Sequence, residues 1–370
     1  MQSWRSKPLP SSSSMASPTR EGLPKPSFFD AHCDTVMKVL DAGEDFLHPG
    51  GTKHISFQEM IQGDIRAQIF ACFVLSAHHP GSEYERACRM IESVNQMAAS
   101  TNGELRIIRT ALELQEAFAG GPRAGILSLE GADPLGTKAE TIRDFIDRGV
   151  RSLIFAWRDN GFSGTAFGNN TPLSEQGRRL LGLCEELGVV VDVSHLSDTA
   201  FEEVVQLSEK PFVATHSDCR SLCPSLRNLT DKMIRKLAGR GGVMGINLAP
   251  AFLDPDFASA ATPLYEAANR AGATPEEQTT LREEMLTIPR PSLDWVARHI
   301  LHAIDVGGEE CVGFGGDLDG IPQTPAGVDS VADYAAFAPL LREAGLSDKQ
   351  IEKVCYGNFL RVFSEVLPAA

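Results

Sequence analysis

Nowhere in the sequence does an apolar run reach the ~20 residues that a membrane-spanning helix needs, and the expectation is a protein with no membrane partner. The stretch from Met1 to Ser27 carries Ser and Pro where a secretion signal would carry an apolar core. Residues 1–27 therefore read as a disordered, non-targeting tail, and the expected location is cytoplasmic. Lys and Arg form no basic run, and 49 acidic against 34 basic residues give a formal net charge of -15, which argues against nucleic acid as a partner. The eight cysteines are scattered through apolar segments without the dense spacing of a disulfide scaffold, so reduced, mostly buried thiols are expected. Cys219 and Cys223 lack the CxxC pairing of a zinc knuckle. There is no G-x-S-x-G elbow, no Cys-His nucleophile signature, and no Gly-rich phosphate loop after the first strand-like run. What remains is the composition of an ordinary globular enzyme, 42% hydrophobic and 22% charged.

The strongest positive signal is an alternation. Short β-rich apolar runs, each followed by a longer segment with helical periodicity, occur at 27–34, 67–76, 124–130, 150–157, 189–195, 211–216, 242–248 and 311–317. Between them, 174–187 shows the helical pattern clearly: Leu180, Leu181, Leu183, Cys184 and Leu187 form an apolar stripe, Ser174 is a suitable N-cap and Gly188 a suitable stop. Continuous apolar strands between such helices imply a parallel sheet covered on both faces, and eight β-α units is the number that closes a barrel. The expected fold is a single (β/α)8 TIM-type barrel over residues 28–370, with a doubly wound open sheet as the alternative. The connection after the seventh run, from Ala249 to Arg290, is long and reads as a lid or a subunit contact.

Polar residues able to hold a metal end five of the eight runs: His32 with Asp34, Glu130, His195, His216 and Asp317. In a β/α barrel these ends converge on one mouth. Three imidazoles and several carboxylates gathered in a cavity are costly without a cation. Residues two apart in a strand point the same way, so His32 and Asp34 would address one metal while Cys33 turns into the wall. Taken singly, each candidate also has a structural reading: Glu130 as a helix-capping or solvent-facing carboxylate, His195 or His216 as a satisfied core histidine. His48, His54, His78, His79, His299 and His302 are left to surface or packing roles.

Seven segments together resemble the renal (membrane) dipeptidase family of the amidohydrolase superfamily, from about Phe28 to about Phe363. They are Asp30-Ala-His-Cys-Asp34, Leu129-Glu-Gly131, Val191-Asp-Val-Ser-His195, His216-Ser217 to Arg220, Arg227-Asn228, His299-Ile-Leu-His302 and Val312-Gly-Phe-Gly-Gly-Asp-Leu-Asp-Gly320. The resemblance implies a zinc dipeptidase that cleaves dipeptides, including L-D dipeptides, with a metal-bridging hydroxide. It implies two Zn2+, other divalent metals being compatible, with His32 and Asp34 on one, His195 and His216 on the other, and Glu130 bridging both. Arg227 would hold the substrate's terminal carboxylate, and Asp317 would contact its amino group and the attacking water. A small peptide substrate and a homodimer are implied in the same way. The chemistry is consistent: paired cations bring the pKa of a water toward neutrality and need no nucleophilic side chain.

The sequence departs from the family at the end of the fourth run. Mammalian members have a histidine there; here the corresponding residue is Trp157. An indole N–H is a single neutral donor and cannot act as an imidazolium. Either Trp157 shapes the substrate pocket, with Arg158 or the metals supplying the charge, or it packs under the barrel rim. Two other functions stay open at this point: a related metal-dependent hydrolase acting on a modified peptide, lactam or secondary metabolite, and a non-catalytic or tailoring homologue that keeps the metals.

Overall fold

The computed structural model describes residues 26–269 and 274–370. The expected tail therefore lies outside the described residues up to residue 25. Among the described residues there are nine strands, all paired in parallel: β1 (Phe28–Cys33), β2 (Ile65–Phe73), β3 (Leu105–Ile107), β4 (Arg123–Glu130), β5 (Val150–Ile154), β6 (Val190–Asp192), β7 (Val213–Ala214), β8 (Val243–Ile246) and β9 (Val312–Phe314). The sheet runs β2-β1-β9-β8-β7-β6-β5-β4 and closes through β2 against β4. This is the eight-stranded barrel expected from the alternation, and the open doubly wound alternative is not what the chain adopts.

β3 was not foreseen. It pairs with residues 123–125 of β4, below the point where β5 takes over the same edge from Leu127 upward. Three residues, of which only Leu105 is fully buried, give too short a hydrophobic pattern to register as a strand. Several strands also stop earlier than their apolar runs. Pairing ends at Ile154 rather than 157, at Asp192 rather than 195, and at Phe314 rather than 317. Beyond these points the backbone curls inward: His195 and Asp317 adopt left-handed φ values of 68° and 56°. Non-glycine residues rarely accept that conformation, and it is tolerated mainly where surroundings over-determine it.

The barrel separates two apolar clusters. Its interior is filled at the lower end by residues from the strand starts, among them Phe29, Ala31, Ala67, Ile69, Ile126, Val190, Val213 and Val243. The C-terminal helix Asn358–Val366 closes that end, packing Phe359, Val362, Phe363 and Val366 onto the same cluster. Each fully buried side chain of this size contributes about 1.5–3 kcal/mol. A larger cluster lies between strands and outer helices. The helix Glu175–Leu187 belongs to that layer; Ser174 caps it by accepting from Gly177 N, and Gly188 ends it at φ 70°. The long connection folds as the helices Pro250–Leu253, Pro255–Asn269 and Pro275–Leu286, the last two packed on each other. All eight cysteines are free, and all but Cys88 are buried.

One irregularity of β1 decides what reaches the mouth. Phe29 and Ala31 face the barrel interior, so strict alternation would also send Cys33 inward. Between Asp30 and Cys33 the register slips: β1 advances three residues while β2 advances two, Gln68 to Phe70. The extra residue is a bulge. It returns Cys33 to the outer cluster and leaves His32 and Asp34 directed at the mouth.

Candidate metal centre

Six of the seven predicted polar residues meet at the C-terminal end of the strands. Glu130, the last residue of β4, sits at the middle with its two oxygens facing different partners. Oε2 is 3.4 Å from His32 Nε2; Oε1 is 3.1 Å from His195 Nε2 and 3.9 Å from His216 Nε2. His195 and His216 point their Nε2 atoms at each other, 2.9 Å apart. On the other side His32 Nε2 lies 3.6 Å from Asp34 Oδ2 and 4.0 Å from Asp317 Oδ1. The donor atoms of His32, Glu130 and His216 fall within 4.8 Å of one another, and so do those of His32, Asp34 and Asp317.

The backbone is tied around these groups. Asp34 N donates to Leu318 O and Asp317 N to His32 O, locking the His-Cys-Asp segment against the turn after β9. Gly320 underlies that turn: a Cβ there would lie 2.2 Å from Asp34 Oδ2 and 2.6 Å from Asp317 Oδ1, so any side chain would fill the space between the two carboxylates.

Electrostatically the centre is built for a cation. Burial raises Asp34 to about 7 and Asp317 to about 6. Burial also opposes ionisation of Glu130, but the His32 charge and the His195 and His32 contacts outweigh it and hold Glu130 well below the usual carboxylate range. His32 is the converse: despite burial, Glu130 and Asp34 drive it well above the ordinary histidine value. Burial keeps His195, at about 4, and His216 unprotonated, with Arg227 acting in the same direction. A proton on His32 thus stands where positive charge is demanded. His32 Nδ1 and Nε2 and Asp34 Oδ1 are buried with no hydrogen-bond partner, which fits a site completed by a metal ion.

Arg227 is the seventh residue. It is buried, donates to His216 O (3.0 Å) and Ser217 Oγ (3.3 Å), and lies against the Phe252 ring. Its Nε has no acceptor, and its hydrogen bonds go to Ser217 and to the His216 carbonyl, none to a carboxylate among the described residues. Trp157 lies in the loop past β5, half-buried, its ring 4.9 Å from Phe73 and 5.9 Å from His195. The indole thus lies beside a histidine of the centre. Arg158 is exposed, and its guanidinium lies over the indole ring at 5.3 Å.

Asn247 escaped the sequence reading. Its Nδ2 donates to Asp317 Oδ2 at 2.9 Å, leaving Oδ1 toward His32. The signal was present: Asn247 is a polar residue at the end of the 242–248 run, the same rule that singled out His195 and His216. His299 is buried, accepting from Cys219 N at Nδ1 and bonding Leu253 O at Nε2, so it has a packing role.

The sequence matches the membrane dipeptidase family, peptidase family M19, over residues 22–370. The chain belongs to that family. It is a hydrolase of the metal-dependent dipeptidase type, and it is similar to solved members across almost its full length. The dipeptidase AC, a metallo-peptidase of the same family, superposes with a TM-score of 0.80 at 27% identity, covering 94% of this chain and 100% of that one. A metallo-peptidase from Rhodobacter sphaeroides, solved with a phosphinate mimic of the dipeptide L-Ala-D-Ala, gives 0.79 at 26% identity, with 93% and 100% covered. An uncharacterized dipeptidase of Schizosaccharomyces pombe is 26% identical over 348 residues, 89% of this chain and 76% of that protein. Among the described residues no helix is long and apolar enough to cross a membrane.

Proposed function

We propose that this M19 dipeptidase works with two divalent cations, zinc by preference, and cleaves dipeptides that include those with a C-terminal D-residue. Glu130 carries the reading. One carboxylate presents Oε2 to the His32 side and Oε1 to the His195 and His216 side, the disposition expected of a bridging ligand between two positions. His32 with Asp34 would hold one ion, His195 with His216 the other.

Bound there, the ions would supply an acidified water and positive charge opposite the tetrahedral oxyanion. The remaining work falls to side chains. Arg227, buried without an anionic partner, is matched to the free carboxylate of a short peptide, a charge-assisted contact that also measures substrate length. Asp317, with Oδ2 held by Asn247, keeps Oδ1 free to bind the substrate's amino group and to carry a proton from water to the leaving nitrogen. Trp157 and Phe73 wall the mouth and select side chains. The L-Ala-D-Ala mimic bound by the Rhodobacter sphaeroides relative supports including L-D dipeptides among the substrates.

The test is elemental analysis of the purified protein, coupled to hydrolysis of L-L and L-D dipeptide panels before and after chelation. About two zinc per chain and chelator-sensitive cleavage are expected. Two metals without dipeptide cleavage would move the substrate elsewhere; a metal-free chain that still cleaves would overturn the mechanism.

A further inference from the structure

Asp192 belongs to the Val191-Asp-Val-Ser-His195 segment and is fully buried, its carboxylate turned to Thr215. Its carboxylate ends a short chain of hydrogen bonds. Oδ1 accepts from Ser194 N at 2.8 Å and from Thr215 N at 3.1 Å, and Oδ2 accepts from the Thr215 hydroxyl. All three partners are donors, so Asp192 is the accepting end. The Thr215 hydroxyl has one proton, and it is committed to Asp192. Its oxygen, 2.9 Å from His216 Nδ1, is left as an acceptor, which places the imidazole proton on Nδ1. Nε2 then presents a bare lone pair, and Nε2 is the atom that faces His195 and Glu130. His32 has no such support: its Nδ1 is buried without a partner, so no group outside the ring selects its tautomer.

We propose that Asp192 and Thr215 are positioning residues that fix His216 as an Nε2 metal ligand, and that this relay acts on the His195 and His216 position alone. The inference rests on the two-cation reading above. A purely structural role would need only the backbone contacts at Asp192 Oδ1, of which the one from Thr215 N ties β6 to β7 and the one from Ser194 N is local; the Thr215 hydroxyl's contact with the imidazole adds nothing to that pairing.

Thr215→Val removes the bridge and keeps the backbone contacts; Thr215→Ser restores the hydroxyl. Zinc is withdrawn stepwise from the holoprotein with a graded chelator. Loss of an outer hydrogen-bond partner costs about 10–100-fold in metal affinity. In Thr215→Val that loss is expected at one position with the other unchanged, and Thr215→Ser should return it. Independently, 15N spectra of the metal-free wild type should show His216 protonated at Nδ1. Identical titrations for Thr215→Val and wild type, equal loss at both positions, or an Nε2-protonated His216 would each overturn the relay. A wild type that takes up no zinc would instead overturn the two-cation reading, and the 15N spectrum would still decide the relay.

Discussion

The two ends of the barrel are made from the same strands and obey opposite rules. At the lower end Phe29, Ile69, Ile126 and Val213 pack onto Phe359, Val362 and Phe363 as one apolar cluster. At the upper end, a few residues further along the same strands, buried nitrogens and oxygens lack partners and two residues of the centre sit in left-handed backbone. Packing is optimised where nothing happens. The partnerless atoms of His32 and Asp34 and the left-handed residues His195 and Asp317 share the end where a ligand completes the site, so the strain is carried beside the group that offsets it.

That division predicts a double dissociation. Glu130→Gln should reduce bound metal and lower kcat/KM by roughly 10³-fold, with an unchanged far-UV spectrum at 25 °C. Phe363→Ala, at the opposite end, should lower unfolding free energy by about 3–5 kcal/mol while the folded fraction keeps its metal and its kcat/KM. Denaturant titration and elemental analysis of both variants make the comparison. Metal loss in a still-folded Phe363→Ala would mean that the lower plug is coupled to the mouth.

His299 offers a smaller test between the two ends. Its neutral ring is fully used, and a second ring proton would meet the Cys219 N–H. Burial depresses it to about 4. The unfolded chain has its histidine near ~6.5. Because the unfolded state binds the proton first, the stabilisation is present above pH ~6.5 and is lost as pH falls toward 4, by about 3 kcal/mol in all. Unfolding free energies of wild type and His299→Gln across pH 4–7 should converge toward acid by that amount. Parallel curves would show that His299 binds its proton as readily in the folded protein as in the unfolded chain.

The same asymmetry governs how much was legible beforehand. The barrel was readable because buried parallel strands and their helices leave periodic apolar runs, and the metal candidates because they end those runs. Strand ends were overestimated, since Val193, Phe155 and Ala156 remain apolar and buried after pairing has stopped; burial writes the pattern, not pairing. The bulge in β1 leaves no mark in Phe28-Phe-Asp-Ala-His-Cys33, although it is what aims His32. Asn247, Thr215 and Asp192 stand near strand ends in the sequence, yet nothing there assigns them a role. Their roles depend on which neighbouring strand they face, and periodicity carries no such information.

Trp157 yields the finest distinction. It contributes no ligand atom, and its ring spans from Phe73 to His195 with Arg158 on it. Replacing indole by phenyl in Trp157→Phe removes ring surface between Phe73 and His195 and so widens the mouth. Metal content should fall only modestly, while the ratio of kcat/KM between dipeptides with bulky and small side chains shifts toward the bulky one by about 10-fold, the discrimination that one or two carbon atoms of pocket surface can provide. An unchanged ranking across the panel would assign the indole to packing alone, and selection would then have to come from Arg227 and the length of the peptide it admits.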